Sequence, residues 1–167
     1  MAETTDLSRI AVQEQQLFLP SFDYEVAWRL GTRLRDLAIQ RSLAVVIDVR
    51  RFNQPLFYCA LANTTPDNAE WIRRKTNTVA RFLRSSYAIG LQLELRKTTL
   101  LEKYALPSSD FSVHGGSFPI TVPGAGVIGC ATVSGLPQRH DHELVVEALC
   151  LETNRDFLTL GLPALAT

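Results

Sequence analysis

Residues 44–61 read AVVIDVRRFNQPLFYCAL, and this stretch decides the fold. Residues 44–49 are short and rich in β-branched side chains, a composition typical of a buried strand. Residues 56–61 are similarly apolar and follow a polar turn over residues 50–54. A connection this short suits a hairpin, whereas a parallel crossover needs a dozen residues or more. The sequence therefore predicts an antiparallel pair of strands.

Predicted helices lie on both sides of this hairpin. Before it, residues 6–16 have helical spacing, and Asp23 is a candidate N-cap for a longer helix with one apolar stripe. After it, Thr65 is a candidate N-cap with Pro66 at the first helical position, where a missing N–H costs nothing. We expect that helix to end near Arg84.

The second half of the chain repeats the alternation. We predict a helix over residues 87–96 because this stretch is rich in good helix formers, although its leucines alternate as in a strand. Two strands follow, the second over residues 127–133, and a last helix runs from Pro137 or His140 to Thr153. Paired strands separated by helices favour one antiparallel sheet with helices packed on it.

The composition limits the class of protein. A length of 167 residues fits a single domain, expected over residues 1–167. Hydrophobic residues make up 46% and charged residues 20%, which excludes an intrinsically disordered chain. No apolar run approaches the ~20 residues of a membrane span, so we expect no membrane partner. The 17 basic and 17 acidic residues cancel, which argues against a nucleic-acid partner.

The cysteines and the N-terminus indicate a compartment. Cys59, Cys130 and Cys150 form no C-x-x-C pair, and we expect three buried, reduced thiols. The acidic, polar N-terminus lacks the basic and apolar regions of a signal peptide. The sequence therefore predicts a cytoplasmic protein.

The most distinctive stretch is HGGSFPITV at residues 114–122. Gly115 and Gly116 would allow the backbone to approach a ligand closely, or they form only a turn at the entry to a strand. His114 is a candidate iron ligand or acid–base group, since its pKa lies near neutrality. The alternative for His114 is a hydrogen-bonded loop residue.

Two further clusters carry chemistry. Asp141, between two histidines, is expected to cap the last helix rather than to bind a metal, because His140 and His142 cannot share one helix face. We expect no metal site. Arg74 and Lys75 lie in a basic segment that either contacts an anion or forms a solvated helix face.

The order and spacing of several short runs resemble one known family, the GlcG-like haem-degrading-domain proteins. The resemblance covers roughly residues 22–150, and the chain is most similar to a branch of compact single-domain proteins. The runs that carry it are GGSFPI (115–120), GVIG (126–129), VSGL (133–136), DH (141–142), PDN (66–68), WIRRK (71–75) and residues 25–34.

This resemblance implies a profilin-like α/β (α+β) fold with a central antiparallel sheet flanked by helices. It also implies a homo-oligomer. Some relatives bind or handle haem, and others accompany glycolate, diol or glycerol metabolism without a defined reaction. Haem is therefore the candidate cofactor. Covalent c-type attachment is excluded because C-x-x-C-H is absent, which leaves His114, His142 and Tyr87 as candidate iron ligands.

The function predicted from these observations is that of a small cytoplasmic homo-oligomer that binds haem or another small anionic or aromatic ligand. The residues expected to bind it are His114, Gly115, Gly116, Ser117, Phe118, Asp141 and His142, with Arg74 and Lys75 contacting an anionic group. The alternative is a non-catalytic assembly or adaptor protein that uses the sheet as a scaffold. An enzyme is a third possibility, ranked last because no nucleophile–base pair or carboxylate dyad can be assembled.

Overall fold

A four-stranded antiparallel sheet forms the centre of the computed structural model, in the order β2-β1-β4-β3. The strands are β1 (Val46–Arg51), β2 (Gln54–Ala60), β3 (Ser117–Val122) and β4 (Gly126–Ser134). The structure describes residues 2–164, with side chains from residue 5 onward; Met1 and residues 165–167, which the single-domain prediction includes, lie outside it.

The predicted hairpin is confirmed, with a tighter turn than expected. Val46 of β1 pairs with Ala60 of β2, and Arg51 pairs with Gln54. The connecting turn is therefore shorter than residues 50–54, because the arginines before it and Gln54 after it belong to the strand ladder.

Helices pack on both faces of the sheet, in the predicted order. They are α1 (Ala2–Gln16), α2 (Tyr24–Gln40), α3 (Pro66–Phe82), α4 (Ser86–Leu95), α5 (Leu100–Tyr104), α6 (Gln138–Thr153) and α7 (Phe157–Leu160). The short α5 and α7 were not predicted. The predicted N-cap Asp23 accepts a hydrogen bond from the Val26 N–H at 2.9 Å. Residues 87–96 are helical as predicted, and α4 is buried on nearly all sides, which explains its strand-like leucine pattern.

The two faces of the sheet differ in chemistry. The face under α2 and α6 is apolar, and Phe118 of β3 is fully buried within it. The face under α3 is polar: the Ser117 hydroxyl lies 2.8 Å from that of Thr132, and Thr76 of α3 lies 3.3 Å from Thr132. Buried Asp48 on this face accepts two hydrogen bonds from Arg50, at 2.6 and 2.7 Å. Successive strand residues thus lie on opposite faces.

His142 lies inside the core rather than at a ligand pocket. Its ring packs 5.7 Å from the ring of Phe118 and 5.4 Å from that of Tyr87, between centroids. Its Nε2 lies 2.8 Å from Gln13 Oε1, and Gln13 donates onward to the Leu160 carbonyl. The prediction that Ser117, Phe118 and His142 line a ligand pocket is therefore wrong, because these three side chains are buried among core residues.

The remaining structural expectations concern the burial of the cysteines and the absence of a membrane span. Cys130 and Cys150 are buried free thiols, and Cys59 is a half-buried free thiol. Across residues 2–164, every helix is too short or too polar to cross a bilayer.

Burial lowers the pKa of His142 to about 3, against about 6.5 for an unfolded histidine. Between these values the unfolded chain binds a proton that the native state does not, so His142 costs the protein stability as the pH falls. In His142→Gln, which keeps a donor for Gln13, we expect that loss to disappear. The wild-type free energy of unfolding should fall relative to the variant by up to about 1.4 kcal/mol per pH unit below pH ~6.5.

Urea unfolding at several pH values measures this difference. His140→Gln, an exposed position on the same helix, is the matched control and should follow the wild type. Parallel pH profiles of wild type and His142→Gln would contradict the prediction.

Candidate functional site

A polar cleft of about 230 Å³ opens where α3, the loop before β3 and the start of α6 meet. His114 and Asp141, which lie far apart in the sequence, both line it. Two of the residues predicted to bind a ligand, from the loop before β3 and from α6, therefore lie at one hollow. The other lining residues are Asn68, Trp71, Lys75, Ser134, Gly135, Leu136 and Gln138.

A buried ion pair forms the floor of this cleft. Lys75 Nζ lies 2.8 Å from Asp141 Oδ2 and donates a second hydrogen bond to the Val133 carbonyl at 3.0 Å. Asp141 Oδ1 accepts from the Leu136 N–H at 2.9 Å. Burial lowers the pKa of Lys75 and raises that of Asp141, and the attraction between the two charges opposes both shifts. The pair thus ties α3 to α6 at the end of β4.

The prediction that Asp141 is the N-cap of the last helix is wrong. Pro137 occupies the N-cap position of α6, and Asp141 lies in the first turn. Its carboxylate is still near the positive end of the helix, but it bonds the incoming loop and Lys75 rather than the helix's own first N–H groups.

The glycine pair packs against this ion pair from inside. Gly116 has φ of 125°, and a Cβ there would lie 2.8 Å from Lys75 Nζ and 2.9 Å from Asp141 Cβ. A Cβ on Gly115 would overlap the Gln138 carbonyl and approach the Tyr87 ring. Both glycines therefore allow close backbone packing behind the cleft wall, and they are buried rather than open to a ligand.

His114 is exposed at the rim. Its Nδ1 lies 3.2 Å from the Ser112 hydroxyl, and its ring meets the Trp71 ring edge-on at 4.9 Å between centroids. Burial of part of the ring lowers the pKa of His114, and the charges of Lys75 and Arg74 lower it further. Its Nε2 forms no hydrogen bond with any residue that the structure describes.

A larger, apolar groove of about 560 Å³ lies on the other side of His114 and Trp71. Apolar side chains from α4, α5 and the loop before β3 dominate it: Leu93, Leu100, Leu101, Leu106, Phe111 and Val113. Arg74 borders it, with its guanidinium 4.2 Å above the centre of the Trp71 ring. His114 and Trp71 thus form a shared wall between a polar and an apolar hollow.

This groove was not predicted from the sequence. Its outer wall is α5, a five-residue helix that was not predicted. The sequence does contain a signal for the start of α5, because Thr99 and Glu102 have the spacing of a capping box. In the structure the Glu102 carboxylate accepts a hydrogen bond from the Thr99 N–H at 2.9 Å.

Residues 22–150 match the model of the haem-degrading HbpS-like proteins. The chain belongs to this family. A UPF0303 protein of Acidobacterium capsulatum is 57% identical over 163 residues, which cover 98% of this chain and 99% of the relative. A second UPF0303 protein, from Burkholderia ambifaria, is 59% identical over 157 residues, covering 94% and 95% of the two chains.

Solved structures share the fold. The Ybr137w protein superposes with a TM-score of 0.85 at 30% identity and covers 92% of each chain. HbpS matches with a TM-score of 0.61 at 20% identity, over 78% of this chain and 88% of its own. A PduOC:haem complex matches with a TM-score of 0.65 at 15% identity, over 78% and 94%. The resemblance to the GlcG-like haem-degrading family and the predicted fold class are confirmed.

The burial of the Lys75–Asp141 pair leads to a prediction about the free energy of unfolding. Because removing one partner leaves a buried charge unpaired, Lys75→Met and Asp141→Leu should each lower the free energy of unfolding by about 3–5 kcal/mol. The double variant should lose much less than the sum, since it buries no charge. Urea unfolding of the three variants measures the coupling. Arg73→Met, at an exposed position of the same helix, is the control with a much smaller loss; additive losses in the double variant would contradict the prediction.

Proposed function

We propose that the protein binds haem in the apolar groove, with His114 as the residue that would hold the iron. A haem site requires an apolar slot that encloses the ring and a side chain able to ligate iron. The groove supplies the slot, and its volume of about 560 Å³ lies within the ~300–1,000 Å³ typical of ligand pockets. The polar cleft of about 230 Å³ lies below that range.

The free Nε2 of His114 is the observation that carries this proposal. Iron binds the neutral imidazole, and the lowered pKa of His114 favours that form at neutral pH. The other two candidate ligands are buried: Tyr87 donates its hydroxyl to Asp6, and His142 lies in the core. Once bound, haem would supply the iron redox chemistry that the polypeptide lacks.

Arg74 is the residue we assign to a haem propionate. Its guanidinium borders the groove and suits a carboxylate, and stacking on Trp71 holds it there. Lys75, the other predicted anion contact, already binds Asp141 and lies on the cleft side of the wall. The family match and the similar fold of the PduOC:haem complex support haem as the ligand.

Haem titration followed by the Soret band tests the proposal. We expect a saturable shift with the wild type and at least about tenfold weaker binding with His114→Ala, because the proposed iron ligand is lost. Arg74→Met should weaken binding less, through loss of the propionate contact. His140→Ala is the histidine control and should bind as the wild type does. Unchanged binding by His114→Ala would contradict the assignment.

A second candidate function, assembly, rests on exposed aromatic residues at one sheet edge. β2 is an edge strand, and Tyr58 on it is 51% exposed. On neighbouring α2, Tyr24 is 60% and Trp28 is 62% exposed, and Trp28 meets Phe57 of β2 edge-on. We infer that this edge of the sheet, which carries Trp28 on one face and Tyr58 on the other, joins copies of the chain into a homo-oligomer. The free thiols support a reducing, cytoplasmic setting.

Size-exclusion chromatography with light scattering tests the assembly. The wild type should exceed the 18.6 kDa of one chain, and a Trp28→Ala/Tyr58→Ala variant should shift toward that mass. The loss follows from removing large apolar contacts at the centre of an interface. Leu158→Ala, at an isolated residue that is 94% exposed, is the control. A wild type that is monomeric at all concentrations overturns this candidate.

A further inference from the structure

We propose that the polar cleft is a second binding site, for a small carboxylate anion. It lies on the opposite side of His114 and Trp71 from the apolar groove, so the proposal does not depend on haem. Three features of the cleft support it: the orientation of two side-chain amides, the local charge, and the size of the hollow.

The two amides at the cleft have their oxygens already occupied. Asn68 Oδ1 accepts the Thr65 N–H at 2.8 Å, and Gln138 Oε1 accepts the Gly115 N–H at 3.3 Å. The amide nitrogens Nδ2 of Asn68 and Nε2 of Gln138 donate to no residue within 2–164. Each amide therefore has an N–H₂ group left for a ligand, and such groups bind an acceptor.

The charge around the cleft also favours an anion. The positive ends of α3 and α6 both reach it, since Asn68 and Gln138 lie in their first turns. Lys75 contributes a buried ammonium with three donors, of which Asp141 and the Val133 carbonyl take two. The Asp141 carboxylate also lines the cleft; the charge of Lys75 balances its charge, and each of its oxygens already accepts one hydrogen bond. The groups left for a ligand are therefore mainly donors.

The size and apolar part of the cleft indicate a short carboxylate rather than a large one. Its volume of about 230 Å³ is below that of a pocket for a drug-sized ligand. Trp71 and Leu136 provide apolar surface for a short carbon chain beside the donors. A ligand of two to four carbons with one carboxylate combines both properties.

Acetate is the probe for the test, titrated into haem-free protein at constant ionic strength with the His114 imidazole observed by NMR. We expect a saturable shift with a dissociation constant on the order of 1 mM, as suits so small a ligand. A linear, non-saturating shift overturns the proposal.

Two isosteric substitutions sharpen the test. Gln138→Glu and Asn68→Asp keep the oxygen that accepts the backbone N–H but replace the N–H₂ donor with a negative charge. Each should weaken acetate binding by at least about tenfold. Gln54→Glu, an exposed position on β2, makes the same charge change outside the cleft and should bind acetate as the wild type does. Equal weakening by all three variants would show a general charge effect and overturn the site.

The haem experiment and the acetate experiment test the two proposals independently of each other. Loss of haem binding in the wild type would refute the groove proposal and leave the acetate titration interpretable, because that titration uses haem-free protein. Failure of the acetate titration would likewise leave the Soret measurement unaffected.

Discussion

The buried ion pair between Lys75 and Asp141 is the contact on which the functional end of the molecule depends. It joins α3 to α6 across the end of β4, and both side chains are almost fully buried. The loop before α6 is fixed to the same carboxylate through Leu136, and Gly116 must lack a Cβ to leave room for the pair. A buried ion pair of this kind adds little net stability, but its two charges must stay close together, which restricts the positions of the two helices. It therefore fixes the position of the cleft and of its wall.

Local sequence signals predicted much of the fold. The hairpin, the N-caps Asp23 and Thr65 and the order of the long helices all follow from short-range patterns. The site was harder to predict from the sequence, because its key contact joins residues that are 66 positions apart. Arg73, Arg74 and Lys75 read as one basic run, yet successive helix residues differ by about 100° in direction. Only packing determines that the lysine is the one that faces the interior.

The β3 predictions went wrong for a reason that was present in the sequence. Neighbouring strand residues lie on opposite faces, so Ser117 and Phe118 could not both line one pocket. Ser117 joins the polar layer under α3, whereas Phe118 joins the apolar core beside His142. For His142, the sequence shows a histidine near a helix start but not the two aromatic rings and the glutamine amide that enclose it in the fold. Burial decides its chemistry, and burial is a tertiary property.

The wall formed by His114 and Trp71 has two sides, and each side belongs to a different hollow. Binding at two sites that share such a wall obeys thermodynamic linkage. If a ligand in one hollow changes the affinity of the other hollow by some factor, the second ligand changes the affinity of the first hollow by the same factor. If the proposed haem and carboxylate were both bound, His114 would couple their sites without any movement of the backbone. The two adjacent cavities would then act as one coupled unit.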